Sequence, residues 1–133
     1  MTTSLARLAL LAGASLAGIS VAAGAFGAHG LKSVLAASGQ ADNWETACRY
    51  AMYHALALLA VGLLALIRSP APAGLGTAAW CFVVGTLVFS GCLAALALSG
   101  LKMLGAIVPV GGVLLIVGWV ILARAAASLG PTP

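Results

Sequence analysis

Three stretches of this chain, Leu8 to Ala28, Leu75 to Leu98 and Met103 to Ala123, carry no charged residue, and each is long enough to cross a bilayer. A crossing takes about 20 apolar residues in helical form, because the hydrocarbon core is ~30 Å thick. Inside it every backbone N–H and C=O needs a partner from its own segment, a demand that the α-helix meets. A fourth apolar run, Ala55 to Ile67, reaches span length only together with the mixed segment before it. The chain is therefore read as one transmembrane domain over residues 1–133, with helices at about 5–28, 44–67, 75–98 and 102–124. Only 6% of the residues are charged, against roughly a quarter in soluble domains, and 133 residues leave no length for a separate soluble unit. The fold class is all-α: an integral membrane four-helix bundle, with a short interfacial helix between helices 1 and 2.

The segments between the spans carry the stop signals. His29-Gly30-Leu31-Lys32 closes helix 1 and Ser99-Gly100-Leu101-Lys102 closes helix 3; in each, glycine suits a left-handed cap and lysine reaches the headgroups. Leu31, Val34 and Leu35 have helical spacing and point to the interfacial helix, which ends at Ser38-Gly39-Gln40. Asp42 stands three residues before Glu45, the spacing of a capping box at the start of helix 2. Arg68-Ser69-Pro70-Ala71-Pro72-Ala73-Gly74 makes a stiff turn into helix 3, and Arg124 closes helix 4 before a tail from Ala125 to Pro133. Arg7 and Ala23-Gly24-Ala25 also suit a secretory signal and its cleavage site. The apolar run exceeds a signal core and three further spans follow, so helix 1 is expected to be retained. Ala14, Gly18 and Ala22 recur every four residues, a smooth stripe that would place helix 1 centrally. Arg7, Arg68 and Arg124 lie on one side of the membrane and Lys32, Arg49 and Lys102 on the other. That tie leaves orientation open, with both termini in the cytoplasm the preferred arrangement.

Ionisable chemistry gathers between Asn43 and His54, which hold one of two acids, both tyrosines and one of two histidines. Glu45 and Arg49 are four apart in the order that favours an intrahelical pair, and Tyr53 continues their face. Tyr50 and His54 form a neighbouring stripe. At 1.5 Å per residue His54 lies ~10 Å below a boundary placed near Ala47, and His29 is on the same side of the membrane. The candidate polar site is thus His29, Lys32, Glu45, Arg49, Tyr50, Tyr53 and His54. The competing structural account makes Trp44, Tyr50 and Tyr53 an aromatic belt, Glu45 and Arg49 a surface pair, and His54 a side chain hydrogen-bonded to a neighbouring helix. In helix 4, Pro109, Gly111 and Gly112 are expected to break or kink the backbone near mid-bilayer.

Other chemistries lack a pattern. Cys48, Cys81 and Cys92 are isolated in apolar runs and read as small core hydrophobes. Two histidines without a third ligand in spacing give no metal site and no cofactor. Six scattered cations form no patch, which argues against nucleic acid.

Gly24-Ala25-Phe26-Gly27-Ala28-His29-Gly30-Leu31-Lys32 and Thr46-Ala47-Cys48-Arg49-Tyr50-Ala51-Met52-Tyr53-His54-Ala55-Leu56-Ala57-Leu58-Leu59 resemble motifs of the bacterial membrane family known as domain of unknown function 423. Phe89-Ser90-Gly91, Leu104 to Gly112 and Gly118-Trp119 fit it in the same order. The resemblance spans roughly Ala9 to Ala126 and implies a four-helix inner-membrane protein related to a small eukaryotic transmembrane family, with no assigned activity. Val108 stands where the family motif has a threonine before the proline, and Cys92 where a serine is usual. Both departures count against a reaction that needs a hydroxyl there.

The leading functional expectation is a non-enzymatic, multi-pass inner-membrane bundle that is structural or docks a partner. Its partners are the lipid bilayer and either another membrane protein or a second copy of itself. The alternative is a small transporter or proton-linked channel built on Arg49, Tyr50 and His54. A third reading is a lipid- or cofactor-binding enzyme using His29 and His54.

Overall fold

The apolar runs form four helices with the length and composition to span a membrane. The computed structural model describes residues 2–130. Its elements are α1 (Thr2–Ala28), α2 (Lys32–Ser38), α3 (Ala41–Ile67), α4 (Leu75–Ser99) and α5 (Lys102–Ala127), and no strand occurs among the described residues. The interfacial helix is present as α2. Its end is built by Gly39, at φ 68°, with Gln40 N–H bonding to the Leu35 carbonyl at 2.9 Å. Buried Leu35 anchors it.

Four local expectations are corrected. The capping box does not form: α3 starts at Ala41 with Gln40 as its cap, so Asp42 sits inside the first turn, where its charge faces the helix dipole instead. Gly30 is not a left-handed cap, since among the described residues only Gly39, Gly74 and Gly100 have positive φ. The Phe26 ring lies against it instead, and a Cβ there would approach Phe26 Cε2 to 2.6 Å. Helix α5 runs unbroken through Pro109. One missing N–H is tolerated in a helix held along its length by α4. The start of the expected tail, Ala125 to Ala127, belongs to α5, while 131–133 lie outside the described residues.

Chain direction alternates between neighbouring spans. Gly13 faces Ala55 and Leu59, and Gly62 faces Leu10, so α1 and α3 are antiparallel. Gly85 faces Leu115 and Gly118 faces Phe82, so α4 and α5 are antiparallel too. Helices α3 and α4 join the two hairpins, and α1 meets α4 at only a few positions. The inner pair is thus α3 and α4, and α1 is an outer helix. Ala14, Gly18 and Ala22 are exposed, whereas Ala6, Gly13, Ser20 and Gly27, each seven residues apart, are buried. Helix α5 repeats the device with buried Gly111, Gly118 and Ala125, again seven apart. A seven-residue spacing keeps one seam against a neighbour, whereas a four-residue stripe drifts around the helix.

Tolerance along these helices should follow the seams. A Cβ on Gly111 would overlap the Phe89 main chain, which cannot yield unless α4 and α5 part. Gly111→Ala is expected to cost ~1–3 kcal/mol in a detergent unfolding titration. A Cβ on Gly18 would have no neighbour within 4 Å beyond its own helix backbone, and Gly18→Ala should stay within about 0.5 kcal/mol of the parent.

Candidate functional site

The sequence-predicted polar residues divide into two groups at different depths. On the loop side, Trp44 donates its indole N–H to the Ala23 carbonyl at 3.0 Å. The indole lies against Gly27, where any Cβ would overlap it, so Trp44 clasps α1 to α3. Lys32 and Glu45 line a cavity of about 420 Å³ beside this clasp, together with Leu35 and Cys48. Glu45 and Arg49 pair at 3.9 Å with side chains 71% and 50% exposed. Side chains on α3 tilt toward its N-terminus, which carries the Arg49 head group toward Glu45 and the loop-side surface.

Deeper in, His54 is 4% exposed and bonded at both ring nitrogens. Nδ1 lies 2.7 Å from the Tyr50 carbonyl, one turn back along α3. A carbonyl only accepts, so Nδ1 carries the proton. Trp119 of α5 donates its indole N–H to Nε2 at 3.2 Å, which requires that nitrogen to be bare. The two bonds select one neutral tautomer, and adding a proton at Nε2 would set two N–H groups against each other. Aromatic rings close round the imidazole: Phe82 at 5.7 Å and Trp119 at 6.1 Å between centroids. Phe82 and Trp119 themselves meet edge to face at 5.2 Å.

Next to this cluster α3 and α5 leave a cavity of about 650 Å³, lined by Tyr50, Tyr53, His54, Phe89, Gly112 and Trp119 among others. That volume falls within the range of small-molecule sites, ~300–1,000 Å³. Tyr50 meets Phe89 at 4.8 Å and Tyr53 at 5.7 Å between centroids, in tilted contacts that form one wall. Tyr53 and Ile116 are more than half exposed and Trp119 nearly half, so the cavity opens sideways, toward lipid.

Tyr50, Tyr53 and His54 therefore come together, while Lys32, Glu45 and Arg49 stay nearer the loops. His29 is exposed and takes no part. With Gly27 opposite Trp44 and Gly13 opposite Ala55, His29 sits level with about residue 41 of α3, ~20 Å along the axis from His54. Of the expected helix-break residues, Pro109 is exposed, Gly111 packs on Phe89 and Gly112 lines the cavity. Sequence reasoning missed Trp119, Phe82 and Phe89. A signal existed for the first: between Lys102 and Arg124, Trp119 carries the sole side-chain nitrogen or oxygen of the span. Among the described residues, no three His, Cys, Asp or Glu side chains gather to hold a metal.

The profile of the family described as "Protein of unknown function (DUF423)" matches residues 23–112, from the Ala23 carbonyl that receives Trp44 to Gly112 in the cavity wall. The chain belongs to this family. It is 42% identical over 116 residues to the UPF0382 membrane protein of Staphylococcus saprophyticus, covering 87% of this chain and 93% of that one. A UPF0382 membrane protein of Staphylococcus aureus (bovine RF122) is 41% identical, and one of Staphylococcus epidermidis (ATCC 12228) 42%, over 87% of this chain and 92% of each relative. No solved structure matches. With four spans and relatives named as membrane proteins, this DUF423 chain is a multi-pass membrane protein whose surroundings are a lipid bilayer. Trp119, which fixes His54, lies beyond the DUF423 match.

Trp119→Phe keeps a ring in place but leaves His54 Nε2 without a donor, an expected loss of ~1–3 kcal/mol by detergent unfolding. In the parent protein, ¹⁵N NMR should show His54 with its proton on Nδ1.

Proposed function

We propose that this protein is a non-enzymatic bundle of the inner membrane that receives a membrane-resident partner at the aromatic cavity between α3 and α5. The carrying observation is a cavity of about 650 Å³ that opens toward lipid and whose histidine is already bonded at both nitrogens within the chain. A histidine so committed is not presented as a base or a ligand. What the cavity offers is aromatic surface, which suits an apolar side chain from another transmembrane helix. The loop-side clasp of Trp44 on Ala23 and Gly27 supports the same reading, because it spends polar atoms on joining α1 to α3.

The alternative, a small transporter or proton-linked channel at Arg49, Tyr50 and His54, requires His54 to release Trp119 during each cycle. In proteoliposomes, ion and solute flux is expected to stay at background for the parent and for His54→Ala alike; parent flux that His54→Ala abolishes would establish the channel.

A photoreactive residue at Ile116, in the cavity wall, tests the docking. It should give a discrete protein adduct in membranes that vanishes when Gly112→Leu fills the cavity. The same probe at Val110, which is exposed on α5, should not. Identical adducts from both positions, or lipid adducts alone, contradict the reading.

A further inference from the structure

A third cavity, of about 240 Å³, lies between α1 and α4 with α3 as its floor. Ser20 contributes from α1, Trp44 and Cys48 from α3, and Thr86, Ser90 and Gly91 from α4. Thr86 is 2% exposed and Ser90 8%, and neither hydroxyl oxygen has a hydrogen-bond partner. Among the described residues these are the buried side-chain hydroxyls left without a partner. Serine within a helix ordinarily bonds back to a carbonyl one turn earlier, as Ser20 does to Leu16 at 2.8 Å and Ser99 to Ala95 at 2.6 Å. Thr86 and Ser90 forgo that bond, and each carries a desolvation cost that no contact within the chain offsets.

Their spacing is informative. Residues four apart on a helix have Cβ atoms ~5–6 Å apart, so one acceptor atom held between them can take a hydrogen bond from each hydroxyl. No charged side chain lines the cavity, which selects a neutral ligand. The volume exceeds an apolar cavity of ~150 Å³ that holds benzene and accommodates a substituted ring. Both residues sit near the middle of α4, which runs from Leu75 to Ser99. The ester groups of glycerolipids lie at the edge of the hydrocarbon, ~15 Å from its centre, too far to supply the acceptor.

We propose that this cavity binds a neutral, lipid-soluble carbonyl compound with a single-ring body, the chemistry of a benzoquinone, whose oxygen accepts from Thr86 and Ser90. The site is separate from the aromatic cavity and does not depend on the docking proposed there.

The test uses the full chain in nanodiscs, labelled with 5-fluorotryptophan so that ¹⁹F NMR resolves Trp44, Trp80 and Trp119. Duroquinone is the probe, and durene, the same methylated ring without oxygens, is its control. Duroquinone should shift the Trp44 resonance saturably, and durene should not. Thr86→Val with Ser90→Ala should weaken binding at least tenfold while leaving the Trp119 resonance in place, which reports that the fold is intact. Gly91→Leu, at a position with nothing within 4 Å of a Cβ, should fill the cavity and abolish the shift. Equal binding of durene, undiminished binding by the hydroxyl-free variant, or no saturable shift, as when the hydroxyls hold only water, would each overturn the proposal.

Discussion

Close approach of helix backbones at small residues is what the rest of this architecture depends on. Lipid tails are as apolar as leucine, so helices in a bilayer gain little from hiding hydrocarbon and associate through contact instead. Here the contact is supplied by two ladders with seven-residue steps, Ala6, Gly13, Ser20 and Gly27 on α1 and Gly111, Gly118 and Ala125 on α5. Each admits atoms of an inner helix: the Leu59 and Trp44 side chains from α3, and the Phe82 ring and Phe89 main chain from α4. An outer helix with one such seam can be held on one side only. The result is an inner pair, α3 and α4, with one flanking helix apiece.

That arrangement explains where the polar atoms are. Where main chains touch closely there is no room for side chains, and where they diverge a cavity remains that long side chains must bridge. Trp119 reaches across such a gap to His54, and Trp44 crosses a shorter one to the Ala23 carbonyl. Both use an indole because it offers one donor on a large apolar body, which suits a place where a second polar atom would need its own partner. Thr86 and Ser90 are the exceptions, with hydroxyls that the chain leaves unanswered.

The spans were legible because charge is absent from long stretches, and composition alone decides that question in lipid. The turns were partly legible: Gly39 and Gly100 take the left-handed conformation expected of helix-ending glycines, while Gly30 does not and answers to Phe26. The seam of α1 was hidden by abundance. In a helix so rich in Ala and Gly, the four-step stripe Ala14, Gly18, Ala22 and the seven-step ladder are both present, and only the partner helix distinguishes them. The local half of the aromatic site, Tyr50, Tyr53 and His54, followed from spacing on one helix. Its distant half did not, because Trp119 is 65 residues away and the register between α3 and α5 is set through α4. The same register separates His29 from His54, which no spacing in the sequence discloses.

The aromatic cavity beside His54 and the hydroxyl-lined one beside Trp44 both lie at the flanks of the inner pair, within the thickness of the hydrocarbon. A solute reaching either travels in the plane of the membrane and never needs to re-enter water. Its effective concentration is then set by how strongly it partitions into the bilayer, so a compound scarce in the aqueous phase can still fill such a site. A site so placed would select in two stages, first through the lipid and only then through the protein.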